Sequence, residues 1–132
     1  MASRRPVRAK IRNFFIAGNS SDNRNPWAIA PEAADDFSIV VELEISANGR
    51  TEAGCYRVIV TTPKYLAHEV AEEGSRFGRR YLLVTQWDWS AIMELLRDEI
   101  ESIADATWQD VHDRLRRVTM WEYEDFGIHA QP

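Results

Sequence analysis

Residues 37–62 limit the folds open to this 132-residue chain more than any other stretch. In FSIVVELEIS, an extended backbone puts Phe37, Ile39, Val41, Leu43 and Ile45 on one side, with Glu42, Glu44 and Ser46 on the other. Asn48-Gly49 follows, a dipeptide suited to turn positions of positive φ. CYRVIVTT then returns with Tyr56, Val58 and Val60 on one face. The pattern predicts a β-hairpin with one apolar face, which other elements must cover. A hydrophobic content of 45% is enough to build that cover as a packed core.

The flanking segments supply the cover. VRAKIRNFFI alternates basic and apolar residues, as a first strand does. Residues 18–35 are a long polar connection holding Pro26 and Pro31, with Trp27 and Ile29 expected to pin its middle to the body. After the hairpin, Thr62 caps a predicted helix, Pro63 takes its first position and Gly74 ends it, with Leu66 and Val70 as its inner edge. RRYLLVTQW reads as a strand. Asp88 caps the next helix, whose predicted buried stripe is Ile92, Leu95, Leu96, Ile100 and Ile103. Thr107 with Asp110 makes a capping-box pattern before WQDVHDRLRR, where Trp108, Val111 and Leu115 recur at helical spacing. MWEYEDF then resumes alternation: Trp121, Tyr123 and Asp125 on one face, with Trp121 and Tyr123 as anchors, and Met120, Glu122, Glu124 and Phe126 on the other. The order predicts an α+β fold, a largely antiparallel sheet of about four to five strands packed against two to three helices. The length suits a single domain over residues 1–132.

Charge narrows the function. The net charge of -5 hides a basic N-terminal arm or first strand: residues 1–12 carry Arg4, Arg5, Arg8, Lys10 and Arg12 and no acid, leaving 11 basic and 21 acidic residues for the remainder. So acidic a body repels nucleic acid backbones and attracts basic partners. No apolar run approaches the ~20 residues that cross a bilayer. The N-terminal residues show no secretory h-region, and Cys55 is the single cysteine, so a cytoplasmic protein without disulfides is expected.

Catalytic signals are absent from the sequence. His68, His112 and His129 are scattered, with His68 and His112 read as surface or half-buried side chains, and no HExxH, CxxC or ligand-spaced cluster calls for a metal. The six glycines mark turns rather than a phosphate cradle, so no cofactor is expected. Cys55 reads as a small strand residue. The acids Glu94, Asp98, Glu99 and Glu101 read as a solvated helix face. Among the five tryptophans, Trp27 alone sits in a loop, where an aromatic anchors either the loop or a partner.

Taken in order, TTPKYL at a strand-to-helix junction, RRYLLV, the Trp-Asp helix start, TWQDVHDRL and the closing MWEYEDF resemble the immunity protein 8 family of bacterial polymorphic toxin systems. The resemblance covers residues 36–126 and leaves the basic arm and the 18–35 connection outside. Its most specific part is the final Trp-Glu-aromatic-acid-acid-aromatic run, and Tyr65, Tyr123 and Phe126 stand as aromatic-for-aromatic replacements. It implies a cytoplasmic antidote, without catalysis of its own, that binds and inhibits a cognate toxin domain encoded by a neighbouring gene; it carries over no active-site residue. Glu42, Glu44, Glu122 and Glu124 are the candidate toxin-facing acids, with Trp27 as an aromatic contact. The alternative is an accessory or regulatory domain that uses its basic arm on nucleic acid. A hydrolase built from dispersed carboxylates ranks third. A homodimer through a strand edge or the Trp27 loop is compatible with the sequence.

Overall fold

In the computed structural model, which describes residues 5–17, 25–74 and 81–123, the expected hairpin forms the middle of a six-stranded sheet. Its arms, β2 (Ser38–Ala47) and β3 (Gly54–Thr61), pair antiparallel from Ser38 opposite Thr61 to Ile45 opposite Gly54 without a register shift. Val41, Leu43 and Ile45 of β2 and Tyr56, Val58 and Val60 of β3 are buried on one face. The turn is longer than a two-residue loop: residues 48–53 connect the arms, and the Arg50 N–H donates to the Ala47 carbonyl at 3.1 Å. Gly49 has φ 78°, a region that costs a residue with a side chain roughly 1–2 kcal/mol. Asn48 ties this turn to the neighbouring strand, donating its N–H to the Arg8 carbonyl at 2.9 Å and accepting the Arg8 N–H on Oδ1 at 2.8 Å.

β1 (Val7–Ile16) pairs antiparallel with β2 and contains a bulge. Ile11 faces Ile45 and Asn13 faces Glu44, so Arg12 is the extra residue. Strict alternation from Val7 would have turned Asn13 and Phe15 into the core. With one residue inserted, Phe14 and Ile16 turn inward instead, opposite Leu43 and Val41. Arg12 is directed outward, donating to Ser46 Oγ at 2.7 Å and the Arg50 carbonyl at 2.6 Å. The Ile11 N–H beside the bulge donates to Glu101 Oε2 at 3.0 Å.

Among the described residues, three helices and three short strands complete the fold. From β3 the chain enters α1 (Pro63–Glu73) and returns as β4 (Tyr81–Leu83), parallel to the end of β3. α2 (Trp89–Glu101) leads to β5 (Ala104–Asp105), which pairs with Val7 and Arg8 on the far edge of β1. α3 (Trp108–Val118) leads to β6 (Met120–Trp121), antiparallel to Tyr56 and Arg57 on the edge of β3 that β4 also uses. The order is β4-β3-β2-β1-β5: an α+β architecture, antiparallel apart from one pair. Thr62, Asp88 and Thr107 cap the three helices as expected, accepting the backbone N–H of Tyr65, Ala91 and Asp110. The Asp110 carboxylate takes the Thr107 hydroxyl at 2.9 Å.

Trp89, Ile92, Leu96 and Ile100 of α2 and Val111 and Leu115 of α3 close the apolar face of the sheet. Full burial of each such aliphatic side chain contributes about 1.5–3 kcal/mol. An aromatic chain, Phe14–Trp89–Trp87–Phe37, with ring centroids 5.3, 6.0 and 5.4 Å apart, joins β1, the start of α2 and the segment before β2. The Trp87 N–H donates to the Ala34 carbonyl at 2.8 Å, so the end of the long connection is held there. Three sequence expectations fail. Leu95, three residues on from Ile92, lies beyond the edge of the stripe and is 47% exposed. α1 has no buried residue, with Leu66 half-buried and Val70 exposed, because it is a crossover standing at the edge of the sheet. In the connection, Ile29 packs on the core and Pro26 is buried, while Trp27 points out on a short 3-10 turn (Pro26–Ala28).

Candidate functional site

Away from α2 and α3, the other face of the sheet has no buried hydrophobic side chain among the described residues. The period-two pattern of β2 and β3 sends Glu42, Glu44, Cys55 and Arg57 to this face. Glu44 lies opposite Cys55 and beside Asn13, whose amide donates to Glu44 Oε1 at 2.7 Å. On the other flank of Cys55, Glu122 follows β6 directly and accepts the Cys55 N–H at 3.4 Å. Glu42 is opposite Arg57 and paired with it at 3.2 Å; its side chain is only 12% exposed. The Cys55 thiol records the carboxylates around it. Burial pushes its pKa up first, Glu42, Glu122 and Glu44 add to the rise, and Arg57 opposes it. A shift in that direction leaves less of the thiol as the nucleophilic thiolate at neutral pH.

A cleft of about 400 Å³ adjoins this cluster, and Glu122 belongs to both. Tyr56, Trp108, His112, Trp121 and Tyr123 supply its aromatic lining, and Arg50 and Glu52 of the hairpin turn stand on it as well. The His112 and Trp121 rings meet edge to face at 4.5 Å, and Trp121 meets Tyr123 at 4.8 Å. A side chain at Gly54 would come within 3.3 Å of the Tyr56 ring, so glycine permits this close packing. Tyr56 Oη and His112 Nδ1 share a buried hydrogen bond of 2.7 Å. Burial, and then the Glu122 charge, push the Tyr56 pKa well above the usual tyrosine range against a smaller opposing effect of Arg116.

Of the residues proposed from sequence, Glu42, Glu44 and Glu122 are therefore neighbours. Glu124 lies outside the described residues, as do Asp125, Phe126 and His129. Trp27 is 63% exposed on a different element. A depression of about 430 Å³ lined by Ile29 and Arg57 links that segment to the partner of Glu42. The last strand is shorter than expected, ending at Trp121, so Tyr123 is not a core anchor: it is 58% exposed. His112 is also corrected, from surface or half-buried to buried. Its spacing from Trp108 and Leu115, four and three residues along one helix face, is the signal that could have placed it.

The other chemical candidates take structural parts. His68 is exposed, 3.8 Å from Asp36. Glu101 accepts from Ile11 and from Arg97. Arg8 donates to the Glu101 carbonyl at 2.9 Å and Arg12 to Arg50, so two cations of the basic arm are tied to the protein's own backbone. Among the described residues no three His, Cys, Asp or Glu side chains are grouped to hold a metal ion, and no helix is long and apolar enough to cross a membrane.

The family model described as Immunity protein 8 matches residues 14–126. The chain belongs to the Immunity protein 8 family. The match is wider than the sequence resemblance, taking in the 18–35 connection and the half of β1 after the bulge. Those parts are physically joined to the remainder, Phe14 through Trp89 and the connection through Ala34 and Trp87. As an Immunity protein 8 member, the chain falls among the immunity proteins that act against polymorphic toxins. Neither the curated proteins nor the solved structures contain a significant match to it.

Proposed function

We propose that this immunity protein neutralises one cognate toxin domain by binding it, with no catalysis of its own, through the sheet face that carries Glu42, Glu44 and Glu122. Family membership over residues 14–126 is the observation that carries the reading. The geometry supports it: three carboxylates, two from hairpin strand β2 and one from the segment after β6, converge on a face that α2 and α3 leave open. Such a surface speeds encounter with a basic partner and selects its orientation. Glu44 and Glu122 are the contacting acids, while Glu42, largely buried against Arg57, holds the row in place. Glu124 and Trp27 are proposed as further contacts.

The test is the affinity of the purified protein for the toxin domain encoded by the adjacent gene, with the toxin's activity measured in parallel. Tight binding with loss of toxin activity is the expected result. Binding without inhibition, or no binding by a folded sample, would sink the reading. Glu44→Lys with Glu122→Lys should weaken binding by about tenfold or more, since each places like charge against the basic partner. Unchanged affinity in that double variant would remove the surface while leaving the immunity role intact.

A further inference from the structure

The cleft beside Tyr123 has the composition of a receptor for a cationic side chain. Its exposed wall is aromatic: Tyr123 is 58% exposed, Trp108 and Trp121 are half-buried, and Trp121 meets the His112 ring, also on the cleft, edge to face. Its acids are Glu52 and Glu122, and among the described residues the Glu52 carboxylate has no hydrogen-bonding or ionic partner. A ring face attracts a cation through its quadrupole, and a neighbouring carboxylate adds direct attraction. Glu122 both lines the cleft and stands beside Cys55, the residue opposite Glu44, so a segment bound across Glu44 is placed to reach the cleft with one side chain.

We propose that this cleft receives an arginine side chain of the partner. The proposal rests on the toxin-binding reading for the identity of that partner. The aromatic lining, with two arginines already beside it, decides between arginine and lysine as the guest. Arg50 lines the cleft, and the Arg116 guanidinium lies 5.9 Å from the Trp121 ring centroid. These like charges oppose any cation equally, but a lysine ammonium, compact and strongly hydrated, would also lose its water against the aromatic wall. A guanidinium is more weakly hydrated, stacks flat on indole and phenol rings, and bonds a carboxylate through two parallel N–H groups. Among the described residues the chain itself already places guanidinium on aromatic rings, Arg116 at Trp121 and Arg97 over Phe14 at 5.2 Å.

The experiment has two arms. In the first, the full chain is titrated with acetyl-Gly-Arg-Gly-amide and with twins bearing citrulline, lysine or phenylalanine, following the indole N–H signals of Trp108 and Trp121 by NMR. The arginine peptide should shift both signals saturably and bind about tenfold more tightly than its citrulline twin, which has the same shape without the charge. Tyr123→Ala, at an exposed position that leaves the core intact, and Glu122→Gln, which keeps an oxygen for the Cys55 N–H, should each weaken the response severalfold. Equal binding of citrulline, a preference for lysine or phenylalanine, or no shift at all overturns the proposal.

The second arm measures Tyr123→Ala against the cognate toxin domain. An affinity about tenfold below wild type is expected, and wild-type affinity overturns the cleft as part of the interface. If the wild-type chain takes the arginine peptide but not the toxin, the toxin reading falls and the arginine site stands.

Discussion

Tyr56 and His112 are 56 residues apart in sequence and share one buried hydrogen bond, so each limits what the other position can hold. Removing the hydroxyl with Tyr56→Phe leaves Nδ1 of His112 without that bond in the interior. The expected loss is about 1–3 kcal/mol, read from the urea midpoint at neutral pH. The same phenol makes stability depend on alkali. In the unfolded chain Tyr56 loses its proton near the ordinary value of 10.0, while in the folded protein burial and Glu122 keep it protonated well above that. Above about pH 10 the unfolded state therefore binds fewer protons than the folded one, and stability falls as pH rises, by up to about 1.4 kcal/mol per pH unit for this one group. The contribution is fully present below that pH. Tyr56→Phe lacks the titration, so its deficit against wild type should narrow between about pH 10 and 11; a deficit that stays constant would refute the account. At this scale the sequence was half legible. The inward side of Tyr56 follows from strand alternation, whereas its pairing with a helix residue so far away has no local signature.

β1 shows what alternation can and cannot disclose about an element. Its range and its role as the first strand were readable, but the change of phase at Arg12 exists only in pairing with β2. The bulge makes an unusual prediction. Deleting Arg12 leaves Val7, Ala9, Ile11, Phe14 and Ile16 in strict alternation, all on the apolar face, so the variant should fold. Its cost is the loss of the bonds to Ser46 and Arg50, about 1–3 kcal/mol by thermal or urea unfolding. Deleting Glu42 from the unbulged β2 instead turns one half of that strand inside out, and should leave no folded protein. The caps at Thr62, Asp88 and Thr107 were legible because a cap is a local hydrogen bond, and Thr107→Ala should cost about 1 kcal/mol. The strands β5 and β6, two residues each, and the parallel pairing of β4 are set by long-range packing, which no short window of sequence encodes.

For the whole molecule, the sign of the charge matters more than its sum. The excess of acids is spread over the chain, yet Glu42, Glu44 and Glu122 reach one patch because β2 and β6, the short strand after α3, both pair with β3. The hairpin half of that grouping was readable from period two; the approach of Glu122 to Cys55 depends on β6 taking the free edge of β3. A patch of one sign acts on partners before contact, and its reach is the Debye length, which shrinks from about 14 Å at 0.05 M salt to about 4 Å at 0.5 M. Association with a basic toxin domain should therefore slow by about tenfold or more over that range, with little change in dissociation rate. The variant carrying Glu44→Lys and Glu122→Lys should associate slowly at low salt and lose most of the salt dependence. Stopped-flow measurement of both proteins separates the two contributions. If wild type and variant respond to salt alike, the attraction arises from the net charge of -5 as a whole, and the open face has no special part in finding the toxin.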